Sequence, residues 1–179
     1  ATVLHVDVDF LVNEAALIFE GEVIASQAQW NDDNSSIRTL ITFRVDDTIK
    51  GTAGANLLTL SFAGGTVDDT TLQVSGMIYP AVGEQGIYFF EDPSQVMINP
   101  LLGWGQGHFR LQADNTGAER VLTEDNAPVM GMEQNTSRAR NIASDPFSQG
   151  VAKGIRTGGS GQALSSAMSK KQFKESLKN

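Results

Sequence analysis

The sequence predicts a mainly β protein whose strands form a closed or partly open antiparallel barrel, with short helices and an irregular C-terminal extension that ends in a helix. Three observations predict this class. Segments of alternating polarity, separated by turns rich in Gly, Asn and Asp, run from about residue 17 to residue 124. Residues 126–165 then show no sustained periodicity and contain two prolines and six glycines. The last residues, SKKQFKESLKN, carry a helix-start signal.

The first residues favour an edge strand followed by a short helix. ATVLHVDVDF alternates polar and apolar side chains, which fits an edge strand either within the chain or added to another subunit. Asp9 is then expected to cap one or two helical turns in the apolar stretch FLVNEAA.

A long twisted hairpin is predicted next. LIFEGEVIASQAQW and IRTLITFRVDDTIKG are two extended runs, joined by the turn NDDNSS, which contains no apolar residue. Gly21 lies in the middle of the first run, where it predicts a bend or bulge of the kind that closes a barrel.

Shorter β segments complete the predicted barrel. They are Leu57–Ala63, Gly86–Glu91, and the pair GHFRLQ and ERVLTE, which the turn ADNTG connects. At the end of the chain, Ser169 and Gln172 form a capping box, and Phe173 and Leu177 share one helical face. A helix this short is unstable alone, so we expect it to dock on the chain or on a partner.

Charge divides the chain into two regions. The predicted domain organisation is an acidic β-barrel over residues 1–125 and a basic, Gly/Ser-rich extension over residues 126–179, within one structural unit. The first holds 18 acidic and 5 basic residues, for a net charge of −13, and the second holds 3 acidic and 8 basic residues, for a net charge of +5. Opposite charges favour an extension that lies on the acidic body or on an acidic partner surface.

Composition argues against most enzyme classes, so we predict a non-enzymatic protein with no catalytic residues. The chain has no Cys, which excludes disulfides and thiol nucleophiles, and only two His, His5 and His108. No GxSxG elbow, phosphate loop or dinucleotide fingerprint is present. A lone His beside aromatic residues, such as His108, is more often packed or hydrogen-bonded than catalytic. The acidic barrel also argues against nucleic-acid binding.

A location outside the cytoplasm is predicted from the start of the chain and from its composition. Ala1 is a small residue of the kind left after signal-peptide removal, and no apolar run is long enough to span a membrane. We therefore expect a secreted or periplasmic bacterial protein whose signal peptide has already been removed.

Several motifs resemble those of one family. ALIFEGEV, FRVDDTIKG, TLSFAGG and VGEQGIYFF follow one another within residues 10–92, and this succession looks like the core of bacterial secreted domains of the netrin-like or TIMP-like OB type. The resemblance implies an OB-like barrel and inhibition of a secreted zinc metalloprotease, in which the amine and carbonyl of the first residue chelate the catalytic metal. That residue is Ala1 here, and the cysteines of the family are absent.

The candidate functional residues fall into two groups. Paired acids in the turn NDDNSS make Asp32, Asp33 and Asn34 candidates for a calcium site, although turn formation explains them equally well. Trp104 lies among glycines in the segment NPLLGWGQGHF. Its ring is expected to be either a lid over the barrel end or a binding anchor. The remaining candidates for partner contact are Ala1, Lys170, Lys171, Phe173 and Leu177.

These observations predict action by protein–protein contact, with another protein or with other copies of the same chain. Two alternatives stay open: a TIMP-like inhibitor of a secreted zinc metalloprotease, and a calcium- or carbohydrate-binding module. No cofactor is predicted apart from possible calcium.

Overall fold

An open antiparallel sheet organises the molecule in a computed structural model, which describes residues 3–133, 150–159 and 161–178. Its strands are β1 (Leu17–Trp30), β2 (Ile37–Lys50), β3 (Leu57–Ala63), β6 (Gln85–Phe90), β7 (His108–Ala113) and β8 (Glu119–Thr123). They lie in the order β3-β2-β1-β6-β7-β8. Two small hairpins accompany the sheet: β4 (Gly65–Val67) with β5 (Thr70–Leu72), and β9 (Val129–Met132) with β10 (Ile155–Thr157).

The mainly β class is confirmed, but the closed form of the predicted barrel is wrong. Within the described residues, β3 and β8 are the two edges of the sheet and do not pair with each other. Other segments occupy part of these edges instead. The Val121 N–H donates to the Met168 carbonyl at 3.0 Å, and the Ala63 N–H donates to the Ile98 carbonyl at 2.8 Å. These two segments therefore supply part of the hydrogen bonding that closure of the sheet would provide.

The predicted long hairpin of β1 and β2 is confirmed, including its bend. The register between the two strands shifts at three places, one of them between Glu20 and Gly21. A Cβ atom at Gly21 would collide with the Arg44 carbonyl on β2, so only glycine permits this close approach of the two strands. The bulges increase the local twist and carry the distal half of the hairpin away from the rest of the sheet.

Each face of the sheet has its own apolar core. One face is aromatic, with Phe19, Phe43, Tyr88 and Phe90 in mutual contact at ring-centroid distances of 4.9–6.3 Å. The other face is covered by helix α1 (Val8–Glu14), helix α2 (Lys170–Leu177) and the β9–β10 hairpin. Burial on both faces explains why the apolar alternation in β6 is replaced by the continuous run IYFF.

The N-cap of the helix at the start of the chain lies two residues before the predicted one. Asp7, not Asp9, is the N-cap, and its carboxylate accepts from the Phe10 N–H at 2.8 Å. The predicted edge strand does not extend to Phe10, because α1 begins at Val8. Before the helix, Asp7 forms a parallel bridge with Lys153, and the Val8 N–H donates to the Lys153 carbonyl at 2.9 Å. Residues 1 and 2 lie outside the described part of the chain. The residues before α1 are held by the buried Gln106, whose amide bonds to the backbone of Leu4 and Val6.

The C-terminal helix α2 has the predicted capping box, in which Ser169 and Gln172 bond reciprocally to backbone N–H groups. The preceding extension contains more structure than its composition predicted, since β9, β10 and a 3-10 turn at Leu164–Ser166 lie within it. Its residues 134–149 and 160 lie outside the described part of the chain. Among the helices described, none has the length and apolar character needed to cross a membrane.

Candidate functional site

A buried cluster of ionisable side chains lies beside the aromatic core, at the ends of β6, β7 and β8. Glu84 precedes β6, His108 begins β7, and Glu124 follows β8. Side chains two residues apart on a strand share a face, so Arg110 projects on the same side of the sheet as His108. Tyr88 on β6 is the cross-strand neighbour of His108. The sheet thus brings together five polar groups that are up to 40 residues apart in sequence.

Glu84 is the centre of this cluster. Its Oε2 atom lies 2.6 Å from Nε2 of His108 and accepts from the Tyr88 hydroxyl at 2.7 Å. Its Oε1 atom lies 3.3 Å from Nε of Arg110. On the other side of the imidazole, Nδ1 of His108 lies 3.8 Å from Oε1 of Glu124. The histidine is therefore placed between two carboxylates.

The two carboxylates have opposite electrostatic environments. Burial disfavours ionisation of Glu84, but hydrogen bonds from His108 and Tyr88 outweigh it and lower the pKa of this carboxyl. Burial raises the pKa of Glu124 to about 7, against the attraction of His108. Burial and the neighbouring Glu84 also raise the pKa of Tyr88. Glu84 is accordingly the ionised member of the pair, and Glu124 binds a proton near neutral pH.

The cluster has a buried part and a part that reaches the surface, since the Arg110 side chain is 26% exposed. His108 and Tyr88 are fully buried, with 0% of each exposed. The interpretation of His108 as a packed, hydrogen-bonded residue is confirmed. A 3-10 turn, Trp104–Gly107, places Gly105 directly against the Glu124 carboxylate, where no Cβ atom would fit.

Above the cluster, two adjoining hollows form a groove on the same face of the sheet. One has a volume of about 450 Å³ and is lined by Glu84 and Arg110, among others. The second has a volume of about 370 Å³ and is lined by the Asp125–Pro128 turn and by Gly158, Gly159, Gln162 and Leu164. Gln112, Leu122 and Asn126 line both hollows. We call these two hollows the β7–β8 groove.

The predicted contact residues of α2 are engaged within the chain. Phe173 and Leu177 are buried at 0% and 4% exposure, and the Phe173 ring lies 4.8 Å from the ring of Phe109 on β7. Nζ of Lys170 lies 3.0 Å from carboxylate oxygens of both Glu20 and Glu119. The basic end of the chain therefore lies on its own acidic sheet, as opposite charges favoured.

The side chain of Lys174 also holds α2 on the acidic sheet, and the side chain of Lys171 lies outside this contact. Nζ of Lys174 lies 2.7 Å from Glu20 and 2.5 Å from Asp47. Lys171 is exposed on the outer side of α2. Of the predicted contacts on this helix, Lys171 is thus the one that remains available to a partner.

The other predicted site residues are spread over the molecule. Asn34 adopts a left-handed backbone with φ of 57°, and the Asp33 carboxylate accepts from the Ser35 N–H at 3.1 Å, so the turn that contains Asp32 is stabilised by its own side chains. Trp104 is half-buried at the start of its 3-10 turn. Ala1 lies outside the described residues. Among those described, no group of three His, Asp or Glu side chains is arranged to hold a metal ion.

Comparisons with protein-family models, curated proteins and solved structures give no significant match to this chain. The arguments about function therefore depend on the geometry of this molecule.

The residues of the cluster other than His108 were missed in the sequence. Glu84, Arg110 and Glu124 are separated by 26 and 14 positions and follow no motif with fixed spacing. One signal was present: Arg110 lies two residues after His108 within a predicted strand, so the two share a face. Nothing in the sequence indicated that Glu84 and Glu124 would meet them.

Proposed function

We propose that this protein acts without catalysis, by protein–protein contact, and that an extended segment of a partner adds to the free edge of β1 between Ile24 and Trp30. The observation that carries the proposal is the unpaired backbone of this edge. β6 accompanies β1 only from Leu17 to Glu22, whereas β2 accompanies it to Trp30. Within the part of the chain that the structure describes, the distal half of β1 is therefore an edge strand.

The register identifies the backbone groups that face outward. The Asn31 N–H donates to the Ser36 carbonyl at 2.8 Å, and hydrogen-bonded pairs alternate along an antiparallel ladder. Gln29 and Gln27 consequently bond to β2, and the N–H and C=O groups of Ser26, Ala28 and Trp30 point away from it. No hydrogen bond from the described part of the chain reaches these groups.

The edge lacks two of the features that normally block strand addition, and the register shift between Val23 and Ala25 places a bulge at its start. Its sequence, IASQAQW, contains no charged residue and no Pro, and such residues are the usual protection of an edge strand. Ile24 and Trp30 are each 38% exposed. A partner strand would thus gain main-chain hydrogen bonds and two apolar contacts.

Charge indicates the kind of partner. Glu20 and Glu22 precede the free edge, and Asp32 and Asp33 follow it. A second copy paired antiparallel about Gln27 would place these acidic ends next to each other. A segment with an uncharged centre and Lys or Arg at its ends fits better, so we propose a different protein as the partner.

The test uses an uncharged, β-branched peptide flanked by lysines, and follows its binding by Trp30 fluorescence and by calorimetry. We expect saturable binding that is lost in Ala28→Pro, because proline removes an outward N–H without breaking a bond to β2. Ala28→Ser is the matched control and should bind normally. No saturation by the wild type, or equal binding by Ala28→Pro, contradicts the edge. Dimerisation by light scattering that Ala28→Pro abolishes would assign the edge to a second copy.

The predicted netrin-like or TIMP-like relationship, with its OB-like barrel, stays a prediction. So do the secreted or periplasmic location and the inhibition of a zinc protease through Ala1. The calcium-binding alternative at Asp32, Asp33 and Asn34 is likewise untested.

A further inference from the structure

Several polar groups that line the β7–β8 groove make no hydrogen bond to a residue in the described part of the chain. Arg110 is held from below, because its Nε atom lies 3.3 Å from the buried Glu84. No residue in the described ranges accepts a hydrogen bond from its terminal guanidinium nitrogens, and the side chain is 26% exposed. Gln112 and Asn126 are exposed at the junction of the two hollows, and their amides are likewise unbonded to described residues. The groove thus offers oriented donors and acceptors to a ligand.

The groove lies on the face of the sheet and not at a strand edge. This position determines which groups of the protein a ligand can contact. Backbone groups of β7 and β8 are used in their own ladder, where Arg110 is opposite Leu122. A ligand in this groove contacts side chains and no free strand edge. An extended peptide therefore cannot form main-chain pairs with β7 or β8 here. Recognition depends on amide and guanidinium groups over the apolar surface of Leu122.

The charges of the groove disfavour an anionic ligand. Arg110 is balanced by Glu84, whose pKa is lowered. The carboxylate of Asp125 accepts from the Thr123 hydroxyl at 2.5 Å and is not neutralised by a cation in the groove lining. The lining therefore carries no excess positive charge with which to recruit an anion.

From these observations we infer that the β7–β8 groove is a binding site for a neutral saccharide. Hydroxyl groups both donate and accept, as do the amides of Gln112 and Asn126, and the guanidinium of Arg110 supplies further donors. The volumes of about 450 Å³ and 370 Å³ lie in the range of small-molecule sites. Two adjoining hollows fit two linked sugar rings. This inference is independent of the proposed strand addition, because β1 contributes nothing to the groove.

The test is a titration of the ¹⁵N-labelled full chain with maltose, cellobiose and diacetylchitobiose, followed by NMR. We expect at least one disaccharide to give saturable shifts at the Arg110 side-chain N–H and at the backbone amides of Leu122 and Asn126. Arg110→Gln should weaken binding by about tenfold or more, as expected for a lost hydrogen bond from a charged group. Arg44→Gln, at an exposed arginine of β2 outside the groove, is the matched control and should bind normally.

A second variant, Gln112→Ala, keeps the inference testable if Arg110→Gln fails to fold. Gln112 is exposed, and its side chain makes no hydrogen bond to a described residue. This variant should also weaken binding while its unfolding curve stays that of the wild type. Absence of saturation with all three disaccharides overturns the inference. So does tighter binding of digalacturonate, which would mean that the site recognises an anion. Saturation of the same shifts by a neutral, amide-capped tripeptide alone would assign the groove to a peptide and equally overturn it.

Discussion

Replacement of Glu124 by Gln is the sharpest test of the buried cluster. The Glu124 carboxyl is 10% exposed and lies beside His108 and Gly105. Burial raises its pKa from the ordinary value of 4.5 to about 7. A carboxyl group whose pKa is higher in the folded chain than in the unfolded chain stabilises the fold. This stabilisation is complete at pH values below the pKa of the unfolded chain. That contribution is lost as the pH rises from about 4.5 through about 7.

The size of the effect follows from the shift in pKa. A rise from 4.5 to about 7 corresponds to about 3 kcal/mol, which partial solvent screening reduces to about 2 kcal/mol. The wild type should therefore lose about 2 kcal/mol of unfolding free energy between about pH 4.5 and pH 8 through this group. Glutamine resembles the protonated carboxyl in shape and does not ionise. Glu124→Gln should match the wild type at low pH and exceed it at pH 8.

Urea denaturation followed by circular dichroism, repeated across this pH range, measures the difference directly. Glu175→Gln, an exposed position on α2, is the control and should leave the pH dependence unchanged. If Glu124→Gln were less stable than the wild type at pH 8, the carboxylate would be ionised and stabilised by its surroundings in the folded chain. The assignment of Glu124 as the protonated member would then be wrong.

Three further substitutions test the packing around the sheet. Phe173→Ala should lower the free energy of unfolding, measured by urea denaturation, by about 3–5 kcal/mol because the ring is fully buried. A loss below about 1 kcal/mol would mean that α2 contributes little to the stability of the fold. Lys174→Met should lower the free energy of unfolding by about 1 kcal/mol at low salt and by almost nothing at about 1 M NaCl. Lys171→Met, at a lysine that has no ion pair with a described residue, should show no such salt dependence. Tyr88→Phe removes the hydroxyl that donates to Glu84 and should lower the free energy of unfolding by about 1–3 kcal/mol. An unchanged melting temperature in this variant would refute this role of the hydroxyl.

Local structure was predicted best where one pattern extends over many residues. The bounds of β1, from Leu17 to Trp30, and the capping box of Ser169 agree with the sequence prediction. Long alternation and a capping box depend only on neighbours in sequence. The short strands β4, β5, β9 and β10 were missed, because three or four residues carry too little periodicity to separate a strand from a loop.

Closure of the sheet could not be decided from the strands alone. Whether two edges meet depends on what else is available to pair with them. Segments near Ile98 and Met168 take up backbone groups of β3 and β8 in this chain, and nothing in their sequences marks them for that role. The prediction of a bend at Gly21 was right, but a bend is compatible with both an open sheet and a barrel.

By itself, the sequence determined the strand-rich class, the long hairpin, the capped terminal helix and the separation of charge along the chain. These properties follow from side-chain periodicity and composition. The tertiary structure alone decided where the basic end lies, and it placed Glu84, His108 and Glu124 together beneath the groove. Contacts between residues distant in sequence depend on strand order and register, and a single sequence states neither of them.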